Sequence, residues 1–231
     1  MGAQSGDRAE KPARKQQQRS LRTQQKLLDA ALEAFSENGF KGTSTRDIAD
    51  RAGVHHPLIT YHFRNKEELW RAAADRIFKK FNAAINQAYE STDGENPRNR
   101  MAAMIRAYVQ HAARQPELHK VIVLEAGYPS QRLEWLVETH LKPIFRMGVN
   151  EIESLQKQGI APPGDPALLF NLIRVSAGGL LALSNELKGT SNLDMRRQES
   201  IDELADMIIS VFLPNESPVG WKAQSASPAS A

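Results

Sequence analysis

The 231-residue chain contains no cysteine. Disulfides and thiolate zinc sites are therefore excluded, and a reducing compartment is the natural setting for such a chain. Aromatic residues make up only 6% of the sequence, whereas 41% of it is hydrophobic and 25% is charged. These proportions are typical of a globular protein, and the length suits one large core or a small domain followed by a larger one.

Long hydrophobic runs are also scarce. The most apolar stretch, residues 166–187, carries Asn171, Arg174 and Ser176 near its middle, whereas a membrane span needs about 20 mostly apolar residues. We therefore expect a buried helix there and no membrane partner. No apolar run follows the charged N-terminal residues, so no signal peptide is expected and the predicted location is the cytoplasm.

The sequence shows no pattern of a catalytic or metal site. It has no nucleophile elbow, no glycine-rich phosphate loop and no spaced pair of carboxylates. His55, His56 and His62 come without a nearby acidic triad, and adjacent residues diverge on a helix, so they do not predict a zinc site. His111 and His119 fall on different predicted helices. We therefore predict neither an enzyme nor a cofactor.

The net charge of +3 is unevenly distributed. Residues 1–22 carry six basic side chains against Asp7 and Glu10, a net +4, which leaves −1 for the rest of the chain. Because such a basic, apolar-poor segment cannot bury itself, residues 1–20 are predicted to be a disordered arm. This arm either solubilises the protein or attracts nucleic acid. The polar, proline-rich residues 214–231 are predicted to be a disordered tail.

Apolar residues recur at helical spacing along most of the chain, and no stretch alternates as a strand would. The predicted fold is all-α, with an N-terminal three-helix helix-turn-helix domain over residues 21–66 and a larger helical bundle over residues 67–213. The helices predicted after the helix-turn-helix pair span residues 66–89, 98–114, 116–126, 131–158, 166–187 and 196–213, and Pro143 should kink the fourth of these.

Residues 44–69, STRDIADRAGVHHPLITYHFRNKEEL, predict two short helices joined by a tight turn. Ser44 with Asp47 resembles a capping box, Gly53 suits a left-handed turn, and Pro57 suits the first turn of the second helix. The pair is therefore a helix-turn-helix, and Asn65 with Glu68 should begin the next helix.

The second helix of the pair has two different sides. Ile59 and Phe63 share one side and should pack against the first helix, whereas Pro57 and Tyr61 fall on the opposite, exposed side. Two histidines stand at its start. A polar and aromatic helix N-terminus of this kind is the surface that a recognition helix presents to the major groove of DNA.

This stretch resembles the DNA-binding domain of the TetR family of bacterial repressors. The resemblance covers residues 21–70 and rests on Thr45, Ile48-Ala49, Ala52-Gly53-Val54, Tyr61-His62-Phe63, Lys66 to Leu69, and the preceding segment AFSENGFKGTS. His55 departs from the family, which usually has serine or threonine there, and Thr60 replaces the first of two common aromatics. The resemblance implies an effector pocket and a dimer interface after about residue 70.

Several residues of the helix-turn-helix domain are expected to contact DNA. Lys41, Tyr61, Lys66 and the backbone near Thr43 should bind phosphates. Lys66 needs such a role because a cation at a helix N-terminus opposes the helix dipole. The predicted DNA-binding residues are Lys41, Thr43, Thr45, Arg46, His55, His56, Pro57, Leu58, Thr60, Tyr61, His62 and Lys66.

Three of these residues have alternative roles. Arg46 suits a guanine edge, but it could instead pair with Asp50 four residues later. His55 is a candidate for base contact together with His56, but it could merely cap the second helix. His62 could be a half-buried, hydrogen-bonding histidine rather than a phosphate contact.

Polar groups embedded in apolar helix faces are the candidates for the effector pocket. They are Tyr108, His111, Glu125, Trp135, Phe145, Phe170, Asn171 and Arg174. For each one the alternative is a core or interface residue. Together they would suit an apolar or aromatic small molecule that carries an acidic or carbonyl end.

The last two predicted helices are the candidates for a homodimer interface. Residues 166–187 are apolar on nearly all sides, which is unusual for a surface helix of a monomer, and Gly178 and Gly179 would let another backbone approach closely. The predicted interface residues are Leu172, Val175, Gly179, Leu180, Leu183, Leu204, Ile208 and Val211. The alternative is that both helices are buried in one large core.

Together these observations predict a ligand-responsive transcriptional regulator, most simply a repressor. It would bind a near-palindromic double-stranded DNA operator as a dimer and release it when a small-molecule effector binds. The alternative is a helical adaptor that binds a protein partner without specific DNA binding.

Overall fold

A computed structural model describes residues 7–92 and 94–214 of the chain, with side chains from residue 16 onward. Within these residues the secondary structure is helical and contains no strand, which confirms the all-α prediction. The first six residues of the predicted arm and almost all of the predicted tail lie outside the described residues. The described residues form two compact units, which divide between Ile77 and Phe78.

Three helices and the start of a fourth build the first unit. They are α1 (Asp7–Gly42), α2 (Thr45–Ala52), α3 (Pro57–His62) and α4 (Lys66–Glu90). We predicted disorder up to residue 20, but α1 begins at Asp7. The physical reason is local: alanine, arginine, lysine and glutamine are strong helix formers, and a helix that is already nucleated can extend through them without an apolar face.

The end of α1 is set by Gly39. Its backbone has φ 67° and ψ 177°, so the regular helix stops there although hydrogen bonding continues to Gly42. Glycine tolerates this positive φ because it has no Cβ atom. On the helical side of the stop, Leu27, Ala31 and Phe35 recur at helical spacing and are buried, so they form the apolar stripe of α1.

The predicted caps of the helix-turn-helix pair are present. The Ser44 side chain accepts a hydrogen bond from the Asp47 backbone N–H at 3.0 Å and begins α2. Gly53 ends α2 with φ 63°, and Pro57 is the first residue of α3. Because Gly53 turns the chain sharply, α3 starts only four residues after it.

The start of α4 belongs to the first unit. Asn65 accepts the Glu68 backbone N–H at 2.8 Å, which confirms the predicted cap. Farther along α4, Arg76 donates to the Gln25 carbonyl oxygen at 3.0 Å and pairs with Asp29 at 2.8 Å. The first unit therefore extends to Ile77, beyond the boundary at residue 66 that the sequence suggested.

The second unit contains the rest of the described helices. They are α5 (Pro97–Arg114), α6 (Glu117–Ala126), α7 (Gln131–Leu136), α8 (Lys142–Lys157), α9 (Pro166–Arg174), α10 (Leu180–Ala182), α11 (Ser184–Ser191) and α12 (Gln198–Phe212). Helices α5, α8, α9 and α12 enclose its core, whose buried members include Ile105, Val109, Ile152, Leu155, Ala177, Leu181, Ile201, Ala205 and Ile208.

Pro143 interrupts its helix as predicted. A π-helical turn, Val137–Leu141, joins α7 to α8, and the Lys142 N–H donates to the Val137 carbonyl five residues back. Proline lacks an N–H and its ring crowds the carbonyl four residues earlier. Widening the preceding turn relieves that conflict without ending the helix.

The helix predicted over residues 166–187 is broken, which corrects the prediction. A second π-helical turn, Val175–Gly179, separates α9 from α10, and the chain then bends by 75° before α11. Among the described residues no single helix is long and apolar enough to cross a membrane. Only this bent pair reaches that length and composition when its two parts are joined.

Gly178 lies directly against the ring of His119. A Cβ atom at this glycine would stand 1.9 Å from His119 Nε2, which is far inside any van der Waals contact. We predicted that Gly178 would admit the backbone of another chain. It is instead the chain's own histidine, buried on α6, that occupies the space.

Gly178→Ala should therefore lower the free energy of unfolding by about 1–3 kcal/mol, because the added methyl group overpacks the His119 contact. Chemical denaturation followed by circular dichroism measures this change. Gly189→Ala is the matched control, since a Cβ there meets nothing within 4 Å, and it should raise stability slightly. Equal stability of the Gly178 variant and the wild type would show that His119 does not pack as described.

Candidate DNA-binding and ligand-binding sites

The exposed side of α3 is the surface predicted for DNA recognition. Ile59 and Phe63 are buried, whereas Pro57 is exposed and Tyr61 is 75% exposed. The Tyr61 ring packs edge-on against His62, with 4.9 Å between ring centroids. This contact packs one edge of the tyrosine ring and leaves most of the side chain exposed. The predicted division of α3 into a buried side and an exposed side is therefore confirmed.

A hydrogen bond across the turn fixes α3 relative to α2. Thr45 Oγ1 lies 2.9 Å from Nε2 of His56. His56 is the residue that precedes α3, and its side chain makes no capping bond. The alternative that His55 caps the helix is not observed, because the cap position belongs to His56. His55 is exposed.

Arg51 ties α2 to α1. Its guanidinium donates to Glu37 at 2.8 Å and to Asp47 at 3.2 Å, and these two carboxylates raise the pKa of Arg51 above its ordinary value. The pairing also neutralises Asp47, the residue that follows Arg46 in the first turn of α2. A negative charge near a phosphate-binding surface is thereby offset.

Three exposed cations surround α3 in the sequence. Lys41, Arg46 and Arg64 are all solvent-exposed, and among the described residues none of their side chains forms an ion pair. The alternative pairing of Arg46 with Asp50 is therefore not observed. Arg64 was missed by the sequence analysis, although its position just before the cap of α4 places a cation beside the recognition helix.

Lys66 has a different role from the one predicted. Its ammonium group donates to the carbonyl oxygens of Phe40 at 2.8 Å and Thr43 at 2.9 Å, and it lies 4.3 Å from the centroid of the Phe40 ring. These carbonyls follow the stop at Gly39, where helical partners are lost. The cation therefore satisfies the end of α1, which explains why it is tolerated at the start of α4.

The Thr43 side chain is likewise internal. The residue is buried, and its hydroxyl lies 2.8 Å from the Gly39 carbonyl oxygen and 3.0 Å from the Ala34 carbonyl oxygen. A DNA contact through this side chain is excluded, because the hydroxyl is used at the end of α1. Only its backbone can contribute to the predicted phosphate site.

The remaining predicted DNA contacts differ in exposure. The Thr60 hydroxyl is exposed but donates to the Pro57 carbonyl oxygen at 2.9 Å, and Leu58 is half-buried. His62 is also half-buried, and burial lowers its pKa. It stands between the rings of Tyr61 and Phe63, which favours the packing alternative over a phosphate contact.

The second unit encloses a cavity of about 370 Å³, a size typical of small-molecule sites. Its wall is overwhelmingly apolar and is formed by α4 through α9. Representative lining residues are Phe78, Phe81, Met104, Ile122, Leu133, Val137, Leu141, Ile144, Met147 and Ile152. Gly148 lets the Phe170 ring enter the wall, since a Cβ there would lie 2.4 Å from that ring.

Five of the eight predicted pocket residues line this cavity. They are Tyr108, Phe145, Phe170, Asn171 and Arg174. The phenylalanines stack edge to face at 5.4 Å. The five lie on α5, α8 and α9, so an apolar face with an embedded polar group did indicate the cavity wall.

The other three predicted pocket residues are not among the lining residues. His111 packs edge-on against Phe81, Glu125 is buried in an ion pair with Arg132 at 3.2 Å, and the Trp135 ring packs edge-on against His140. Glu125 therefore follows the alternative of a core residue with an internal partner, whereas His111 and Trp135 are half-buried and pack against neighbouring rings.

Two polar pairs bear on the cavity. Tyr108 Oη lies 2.8 Å from Nε2 of His119, a histidine that the sequence analysis treated as ordinary. Burial lowers the pKa of His119 to about 4, so this ring is neutral at pH 7. Arg174 Nε donates to Asn171 Oδ1 at 3.2 Å. Nothing in the sequence links His119 to Tyr108, because the pairing depends on the packing at Gly178.

The predicted dimer residues form an exposed apolar stripe with one exception. Leu172, Val175, Leu180, Leu183 and Val211 are exposed, Gly179 and Leu204 are half-buried, and Leu168 and Met207 extend the stripe. Ile208 is only 4% exposed and belongs to the core of its own unit. Its assignment to an interface is therefore wrong: α12 is rotated so that Met207 faces outward instead.

Within residues 7–92 and 94–214, no group of three histidine or acidic side chains is arranged to hold a metal ion.

Comparison with known proteins matches the first unit to one family. Residues 27–73 match the model of bacterial regulatory proteins of the tetR family. The chain is 35% identical to the transcriptional activator FasR of Mycolicibacterium smegmatis over 82 residues, which is 36% of each chain. It is 23% identical to the "Probable acrEF/envCD operon repressor" of Escherichia coli over 88% of this chain and 93% of that protein.

A solved structure shows the same fold over most of the chain. A TetR-like transcriptional regulator from Rhodococcus sp. RHA1 superposes with a TM-score of 0.62 and 22% identity, over 82% of this chain and 92% of that one. The likeness therefore extends past the first unit into the helices that enclose the cavity.

Lys66→Ala should lower the free energy of unfolding by about 1–3 kcal/mol, because it removes two charged hydrogen bonds to carbonyl oxygens at the end of α1. Urea denaturation measures the change. Lys41→Ala is the matched control, since that lysine is exposed and should change stability by less than about 0.5 kcal/mol. If Lys66→Ala keeps full stability but loses DNA affinity, the ammonium group acts on phosphate as the sequence first suggested.

Proposed function

We propose that this chain, whose residues 27–73 match the model of bacterial regulatory proteins of the tetR family, is a repressor controlled by a small molecule. Two copies bind a near-palindromic operator through the α3 helices of their first units. An effector that fills the cavity of the second unit releases the DNA. Transcription is blocked while the operator is occupied.

The observation that carries the DNA-binding proposal is the exposed surface of α2 and α3. Arg46 opens α2, Tyr61 is exposed on α3, and Lys41 stands before the pair. Cations and polar aromatic groups are the side chains that contact phosphates and base edges. The Thr45–His56 bond supports the same role, because it fixes the angle at which α3 meets a groove.

The proposal of a dimer rests on the exposed stripe of α9, α10 and α12. Leu172, Val175 and Val211 are each more than half exposed, although an apolar patch of this extent is rarely left in water. Pairing the stripe with its copy about a two-fold axis would bury it. Two recognition helices then lie on the half-sites of one operator.

The proposal of an effector rests on the cavity and on α4. This helix contributes Leu69 and Trp70 to the buried residues of the first unit and Phe78 and Phe81 to the cavity wall of the second. A ligand that shifts the cavity residues of α4 acts on a continuous helix that also holds the DNA-binding unit. Binding of the ligand at one part of α4 would then weaken binding of the operator at the other.

Binding to DNA from upstream of the protein's own gene tests the proposal. At physiological salt, fluorescence anisotropy should show a specific duplex bound about 10³-fold or more tightly than a scrambled duplex. Equal, weak affinity for every duplex would overturn the proposal and favour the adaptor alternative.

Transcription in vitro from the same DNA should fall when the protein is added, whereas a rise would make it an activator.

Arg46→Ala should relax base preference at one position of each half-site and weaken binding to the correct operator by about 1–3 kcal/mol, because arginine suits the guanine edge. Lys41→Ala should weaken all duplexes alike and reduce the log–log salt slope by about one unit. Affinities for single-base operator variants at several salt concentrations separate these effects. A uniform loss for both variants would remove Arg46 from base recognition.

Met207→Glu should convert the dimer into a folded monomer, because it places a charge in the exposed stripe at a residue that is 61% exposed in one chain. Sedimentation measures the mass, and circular dichroism confirms folding. Val123→Glu is the matched control: Val123 is 63% exposed on α6, outside the stripe, and its variant should remain dimeric. A dimeric Met207 variant would place the interface elsewhere.

A further inference from the structure

We infer that the effector of this cavity is a hydrophobic carboxylate, an organic anion on an apolar chain or ring system, whose charged end binds to Arg174 and Tyr108. The inference rests on the proposed function, since it names the chemistry of the effector which that function requires.

The charged side chains of the cavity wall are all basic. Among the described residues that line the cavity, only Lys142 and Arg174 are charged, and none is acidic. A cation within an apolar wall is costly unless an anion pairs with it. The wall therefore disfavours a cationic ligand and favours a mostly apolar one that brings a single negative group.

Arg174 is held in position for such a group. Its Nε atom donates to Asn171 Oδ1 at 3.2 Å, and Asn171 in turn donates its Nδ2 to the Ala167 carbonyl oxygen at 2.9 Å. Among the described residues Arg174 forms no ion pair. Its terminal nitrogens have the planar fork geometry that binds a carboxylate through two hydrogen bonds.

Tyr108 supplies a second donor through His119. Nδ1 of His119 is buried and has no hydrogen-bond partner among the described residues. A buried N–H without an acceptor is rarer than a bare acceptor, so the favoured tautomer carries its proton on Nε2. That proton is donated to Tyr108 Oη across 2.8 Å, which leaves the tyrosine's own proton for the ligand.

Electrostatics and packing agree with this arrangement. The charge of Arg174 acts on both Tyr108 and His119, although burial dominates the pKa of each. The pKa of His119 is lowered to about 4, so its ring stays neutral and does not compete for the anion. Gly178 allows that ring to lie flat against the second π-helical turn, which fixes its distance from Tyr108.

Lys142 is the matched control, although it also lines the cavity. Its ammonium group is paired with exposed Glu138 one turn earlier on the helix, so its charge is already compensated. Lys142→Met and Arg174→Met remove the same charge and leave similar apolar volume. The inference predicts that only the second substitution changes the recognition of an anion.

Calorimetry with two matched pairs of probes on the full chain tests the inference. The pairs are decanoate with decanol and 2-naphthoate with 2-naphthol, so that flexible and planar skeletons are both covered. The wild type should bind at least one acid about tenfold or more tightly than its alcohol, because charged hydrogen bonds exceed neutral ones. Arg174→Met should abolish that preference, Tyr108→Phe should reduce it, and Lys142→Met should preserve it.

Several results would overturn the inference. They are equal binding of acid and alcohol by the wild type, no binding of either acid at millimolar concentration, and a preference that survives Arg174→Met or is lost in Lys142→Met. If circular dichroism shows that Arg174→Met is unfolded, Tyr108→Phe decides instead, and an unchanged preference in that variant overturns the inference.

The inference and the proposed function fail in different ways. Calorimetry needs no DNA, and operator binding needs no probe. Specific operator binding without a preference for acids would leave a regulator with another effector class. A preference for acids without specific operator binding would leave an anion-binding protein that does not act on DNA.

Discussion

The carbonyl groups released at the end of α1 are the constraint on which the helix-turn-helix depends. Gly39 turns the chain out of the helix, so the carbonyls of Gly39 and Phe40 need partners other than the next helical turn. Thr43 and Lys66 supply those partners. One buried hydroxyl and one ammonium group thereby join α1, the start of α2 and the start of α4 in a fixed arrangement.

This internal use of Lys66 and Thr43 leaves DNA contact to other residues. The side chains still available are those with no partner in the first unit's core, above all Arg46 and Tyr61 on the exposed surface. In the proposed complex Lys66 and Thr43 hold the helices, Arg46 and Tyr61 face the DNA, and Thr45 and His56 stand at the join between α2 and α3. A change at Lys66 alters the scaffold, whereas a change at Arg46 alters only the surface.

The sequence predicted those features that depend only on neighbouring residues, above all the ends of the helices. Ser44, Gly53 and Pro57 set the helix ends through their own backbone and side-chain chemistry, and Pro143 interrupted its helix for the same reason. Lys66 could not be assigned in this way, because its carbonyl partners lie 26 and 23 residues away. Likewise, the apolar stripe of α12 is so wide that the sequence does not define which side of the helix faces the core. Ile208 was therefore predicted at the interface, whereas Met207 is the exposed residue. The pairing of Tyr108 with His119 required the packing at Gly178, which no sequence pattern reports.

Hydroxyl-radical footprinting of the operator duplex tests the central claim most directly, that two copies of the first unit read DNA with their α3 helices. The account predicts two protected patches related by a dyad, separated by about one helical turn of roughly 10 base pairs or by a multiple of it. A single protected patch, or uniform weak protection along the duplex, would contradict the account.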